Sequence, residues 1–211
     1  MKTFFLISFL LINLLSFSQE FQKKFLDINK NEITKKQFYK QNDSKTNLDV
    51  FIQSDSLIIG MLVRRKNQGK LDKKQSKQLT EYLSRISGEK IDSSKTLVIN
   101  YLSSTPKTPY FGKVSQWTIF KNDYLKSLHK IPNIYQIWIN NPDNQNLKYF
   151  HNDRINWIED SNRIIENIFF PFEFEFGSFV VINSNGNYIS YYAEYGKEEV
   201  LTITKECIKL K

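Results

Sequence analysis

The tightest constraint in this chain is a set of short, almost continuously apolar runs that alternate with stretches of helical periodicity. "LIIGMLVRR" at 57–65, "TLVINYL" from Thr96 to Leu102 and "IYQIWIN" from Ile134 to Asn140 are rich in branched side chains and too short for independent helices. Such runs suit strands covered on both faces, so the helices between them must lie on the faces of a sheet.

The intervening helices carry their own punctuation. Asp72 with Gln75 forms a capping box, Leu79, Tyr82, Leu83 and Ile86 recur at helical spacing, and Gly88 stands where a left-handed residue ends a helix. Val114, Trp117, Phe120, Tyr124 and Leu128 predict a second amphipathic helix that Pro132 prevents from continuing. In "DSNRIIENIFF", Asp160 or Ser161 can cap a short helix with Ile164, Ile165 and Ile168 inward, ended by Pro171. Asn185-Gly186 between "SFVVIN" and "YISYY" predicts a tight antiparallel hairpin in which both turn residues have positive φ. Val200, Ile203, Cys207 and Leu210 share one face of a closing helix. The expected order over 56–211 is β-α-β-α-β-α-β-β-α, with the first strand, helix and second strand closed as a right-handed parallel crossover. Residues 19–55 are polar, with two apolar clusters, and read as an extension holding one short strand.

Lys2, the apolar stretch from Phe4 to Phe17 and the small residues Ser16 and Ser18 have the form of a secretory signal peptide over 1–18. The run is too short and too interrupted for a membrane span. The expected location is therefore periplasmic or secreted, with no integral membrane segment after processing. The only cysteine, Cys207, excludes an internal disulfide and a two-cysteine redox motif, and with only His129 and His151 a zinc cluster finds no ligand set. No metal or cofactor is expected. The formal charge is +8, concentrated at Arg64, Arg65, Lys66, Lys70, Lys73, Lys74 and Lys77. No aromatic residue is interleaved there to stack on bases, which argues against nucleic acid and for a solvated lysine-rich face.

The element order, "LVINYLSSTP" and "FGSFVVINSNGNYISYY" together resemble the exported bacterial thioredoxin-like family. The resemblance implies an α/β fold, a three-layer sandwich with a central mixed β-sheet and helices on both faces. It also places the family's Cys-x-x-Cys at Pro106-Lys107-Thr108-Pro109, where no thiol stands, and its cis-proline at Gly177. Disulfide exchange is then not expected, because a thiolate nucleophile is required. What the scaffold retains is a surface: a loop of Ser103, Ser104, Thr105, Pro106, Lys107, Thr108, Pro109 and Tyr110 with Gly177 and Ser178, beside an aromatic wall of Phe172, Phe174 and Phe176. The expected function is binding of a protein or peptide partner in the bacterial envelope, one version being an immunity-type protein that neutralises a periplasmic toxin. The competing class is an enzyme, either an oxidoreductase using Cys207 with an external thiol or a hydrolase built around His151 and Asp153, although no G-x-S-x-G is present.

Overall fold

The computed structural model describes residues 22–104, 114–144 and 146–211. It divides into two compact units, one ending at Arg64 and one running from Arg65 to Lys211. Among the described residues each contains a mixed sheet, with one helix in the first unit and several in the second, an α/β organisation. The predicted signal peptide at 1–18 lies outside the described residues.

The first unit consists of β1 (Gln22–Leu26), β2 (Glu32–Ile33), α1 (Lys35–Gln41), β3 (Asn47–Gln53) and β4 (Leu57–Arg64). Its strand order is β2-β1-β4-β3, with β1 parallel to β4 and the remaining pairs antiparallel. Thr34 and Gln37 form a reciprocal capping box that starts α1. That helix delivers Phe38, fully buried, onto Phe25 at a ring separation of 5.1 Å, and Leu62 of β4 completes the cluster. Two expectations are corrected here. The region 19–55 is more than an extension with one strand, and "LIIGMLV" pairs with it instead of opening the downstream α/β sheet. Among the described residues the unit's core is Phe25, Phe38 and Leu62 with Ile33 packed against them, and the three that fall in the polar segment are too dispersed to show periodicity.

The second unit contains β5 (Lys66–Lys70), α2 (Lys73–Ser87), β6 (Thr96–Ser104), a 3-10 turn (Thr118–Phe120), α3 (Asn122–Leu128), β7 (Ile134–Asn140), β8 (Ile158–Glu159), α4 (Ile164–Phe169), β9 (Phe176–Ile182), β10 (Asn187–Tyr191) and α5 (Lys197–Ile208). The sheet order is β5-β10-β9-β6-β7-β8; β6, β7 and β8 run parallel, and the other pairs are antiparallel. The strand preceding α2 is therefore polar β5, paired antiparallel with β10 at the edge. The predicted parallel crossover into β6 does not form. A Lys-Asn-Gln-Gly-Lys strand has no apolar side chains to bury in the sheet interior, and its lysines suit an edge.

Central β6 is buried from Thr96 through Ser103. Val98 and Leu102 join a core with Leu128 of α3, Val200, Ile203 and Cys207 of α5, and Trp117 and Phe120. On the same face Asn100 is buried and satisfied: its amide donates to Tyr195 Oη (2.8 Å), and its carbonyl accepts from Tyr124 Oη and Gln136 Nε2 (2.9 Å each). Tyr101, of opposite parity, stacks on Phe170 just beyond α4.

Local signals in α2 and α5 match the structure. Asp72 and Gln75 cap α2, Gly88 ends it at φ +71°, and α5 buries Val200, Ile203 and Cys207, with Thr204 added. The predicted helix through 114–128 is broken, because Lys121 is extended (φ −74°, ψ 145°) between the 3-10 turn and α3. Trp117 stays outside the helix, and its indole N–H donates to the Tyr195 carbonyl. The hairpin forms, but with a three-residue loop. Gly186 N–H bonds to Asn183 O, Asn183 pairs with Asn187, and of the two turn residues only Gly186 has positive φ (+83°), as a bulged type I turn requires.

Candidate functional site

The predicted site lies where β6 and β7 present their carboxyl ends, the usual place for ligands on an open sheet with parallel strands. Thr105, Pro106, Lys107, Thr108, Pro109 and Tyr110 lie outside the described residues. The flanking residues are described, and they correct the expected contact surface. Ser103 is buried, with no hydrogen-bond partner for its hydroxyl among the described residues. Ser178 is fully buried, and its hydroxyl accepts the Ala193 N–H (3.3 Å). Gly177 is also buried, at the irregularity where the β6–β9 register shifts between Tyr101 and Ser104. These three residues are therefore buried supports and not an exposed contact face. Ser104, half-buried, donates to Phe174 O (3.4 Å).

The aromatic wall is also divided. Phe172 and Phe174 set their rings 6.4 and 5.4 Å from Tyr192, whereas Phe176 turns to Trp117 at 6.5 Å. Residues 171–175 are not a strand, and Phe176 has φ +70°, which breaks the two-residue alternation.

At the carboxyl ends of β6 and β7 stands a polar cluster that the sequence reading did not assemble. Glu166 accepts from Asn141 Nδ2 and Arg163 Nη1, both at 3.0 Å, and Tyr101 Oη donates to it at 3.4 Å. Arg163 also reaches Asp143 at 2.6 Å. Burial, followed by the nearby Glu166 and Asp160 charges, raises the Tyr101 pKa and keeps it a protonated donor. One turn away, buried Asp160 accepts from Tyr82 Oη (2.5 Å) and from the N–H groups of Ile164, Ile165 and Glu166. The carboxylate of Glu166 is matched by cationic and amide donors, so the arrangement braces loops and offers no free base. Only Asp160, in "EDSNR", carried a local signal, that of a helix cap.

His151 Nε2 lies 2.8 Å from Ser115 O, and its ring packs on Phe120. Glu159 accepts from Ser161, and Asp160 is engaged as above. The described geometry therefore joins His151 to neither a carboxylate nor a nucleophile. Among the described residues no group of three His, Cys, Asp or Glu side chains is placed to hold a metal ion, and no helix is long and apolar enough to cross a membrane. A separate cavity of about 890 Å³ at the opposite end of β6 is lined by Leu97, Lys70, Lys73, Lys77, Lys95 and Lys211, among others.

Cys207 is fully buried. Its thiol faces Val181 O (3.3 Å) and Asn187 O (3.5 Å), and burial pushes its pKa from 9.0 up to about 11. The unfolded thiol ionises first, so stability holds below pH 9 and falls as pH rises toward 11. Unfolding in urea across this range should show wild type losing about 1–2 kcal/mol that Cys207→Ser does not lose. Parallel curves would refute the buried-thiol assignment.

Comparison with known proteins finds no matching family model and no matching curated protein.

Proposed function

We propose that this chain is an exported, redox-inactive thioredoxin-like protein that binds a protein or peptide partner in the bacterial envelope. The fold part of this reading is supported by the four strands β7-β6-β9-β10: parallel β6 and β7 flank α3, an antiparallel hairpin follows, and α5 closes the chain. The resemblance is to the succession of a parallel strand pair, a hairpin and a closing helix, and the three-layer sandwich belongs to the proposal. Added β5 and β8 occupy the two edges.

The observation that carries the functional part is the sealed state of Cys207. Disulfide exchange requires an accessible thiolate, and the only sulfur nucleophile in the chain is buried, protonated at neutral pH and bonded to two carbonyls. The contact surface is then the 105–110 loop with Ser104 and the Phe172–Phe174 pair. Prolines in that loop reduce the entropy lost on docking.

The test has two arms. Purified protein and Cys207→Ser are compared for thiol-dependent reduction of a protein disulfide, where both should match the uncatalysed rate; turnover present in wild type and lost in the variant would overturn the reading. Copurification from the native envelope should yield a discrete partner that disappears when Pro106 and Pro109, or Phe172 and Phe174, are changed to alanine. A partner retained by both variants removes this surface from consideration. Recovery of a purified chain beginning near Gln19 would establish the export step.

A further inference from the structure

Among the described residues four strands lie at sheet edges, and three of them are protected against further pairing. β2 and β8 are two residues long, and β5 carries lysines at both ends. β3 differs from all three. It runs seven residues, Asn-Leu-Asp-Val-Phe-Ile-Gln, without a lysine or proline, and leaves Phe51 50 % and Ile52 47 % exposed.

The hydrogen bonds on that edge can be assigned. Ser54 N–H bonds to Leu57 O (2.9 Å) across the two-residue turn, so Ile52, Val50 and Leu48 direct their backbone groups toward β4. The alternation leaves Asp49, Phe51 and Gln53 with N–H and C=O groups pointing outward.

We propose that this edge pairs with the same edge of a second copy, antiparallel, about a two-fold axis at Val50. Asp49 then exchanges both backbone bonds with Phe51 of the second copy, and the outward groups meet in register. Leu48 meets the second copy's Ile52, and Val50 meets its own equivalent, so one face is apolar throughout. On the other face Phe51 and its equivalent become diagonal neighbours. Beyond the strand ends the two-fold brings the turn that carries Lys45 toward the hairpin turn that carries Asp55 of the second copy, twice by symmetry. Both are exposed, and neither enters an ion pair among the described residues. Hydrogen-bond parity, the apolar face and charge thus select one occupant, a second copy of this chain, which converts two sheets of four strands into one of eight.

Sedimentation equilibrium of the purified chain at tens of micromolar should give twice the chain mass. Val50→Lys, which places two ammonium groups on the axis, should be monomeric with unchanged circular dichroism. Lys45→Glu and Asp55→Lys alter only exposed turn residues; each should weaken the dimer several-fold, and the double variant should restore it. On oxidation Val50→Cys should crosslink rapidly, because facing residues of a non-hydrogen-bonded pair lie about 4.5 Å apart, within disulfide reach. Ile52→Cys, which faces Leu48, should lag. A monomer at every concentration, including one whose edge captures a strand of another protein, overturns the proposal. So does a dimer indifferent to Val50→Lys, charge variants that fail to compensate, or equal crosslinking at positions 50 and 52.

Discussion

Asp160→Ala is expected to destabilise the second unit by about 3–5 kcal/mol, because it leaves two buried donors and two half-buried ones without their acceptor. Asp160 is fully buried, and its two oxygens accept from Tyr82 Oη of α2 and from three successive N–H groups that open α4. Tyr82→Phe removes the donor to Asp160 and the acceptor of the Asn162 N–H but leaves the Asp160 carboxylate on its three backbone donors, so its cost should be smaller, about 1–2 kcal/mol. The pair should be non-additive in a double-mutant cycle, since both changes sever the same bond. Asp160→Asn should fall between them, because an amide retains only one accepting oxygen. All three tryptophans of the chain, Trp117, Trp138 and Trp157, belong to this unit, so their fluorescence in urea reports its unfolding directly. A loss below about 1 kcal/mol for Asp160→Ala would show that Asp160 does not hold α2 to α4.

The elements legible in the sequence are those whose signals are local. α2 has a cap, a stripe and a terminating glycine within seventeen residues, Asp72 to Gly88, and all three act as their chemistry dictates. The apolar runs of β6 and β7 were legible because burial on both faces leaves no polar alternation. What escaped was non-local. The first unit rests on Phe25, Phe38 and Leu62, which no short window contains together. The polar cluster draws Tyr101, Asn141 and Glu166 from three separate segments. At the aromatic wall the alternation was real in exposure, since Phe172, Phe174 and Phe176 are half-buried while Glu173 and Glu175 are exposed. A single left-handed residue, Phe176, sends the last ring elsewhere. Dihedral reversals of this kind leave no mark on hydrophobic periodicity.

Gly177 joins the fold to the proposed binding surface, and its substitution has the second large expected effect. A Cβ at this position would stand 2.3 Å from the Tyr101 carbonyl oxygen and 3.3 Å from the Trp117 ring. The first contact is with backbone of the central strand, which is held on one side by β7 and on the other by β9 itself. It cannot yield as the end of a flexible side chain would. Gly177→Ala should therefore cost about 1–3 kcal/mol and Gly177→Val more, as expected for overpacking at a rigid wall. Gly196→Ala supplies the contrast: its Cβ would meet the Glu199 carboxylate at 2.7 Å, and a flexible side chain can withdraw, so its loss should stay below about 1 kcal/mol. Urea unfolding ranks the three variants. Amide hydrogen exchange then locates the damage, which should appear first where Ser104 pairs with Phe176, at the root of the 105–110 loop. If Gly177→Val were as stable as wild type, the close approach of β9 to β6 would be absent in solution. The proposed binding surface would then lose the rigid strand pair that carries Ser104.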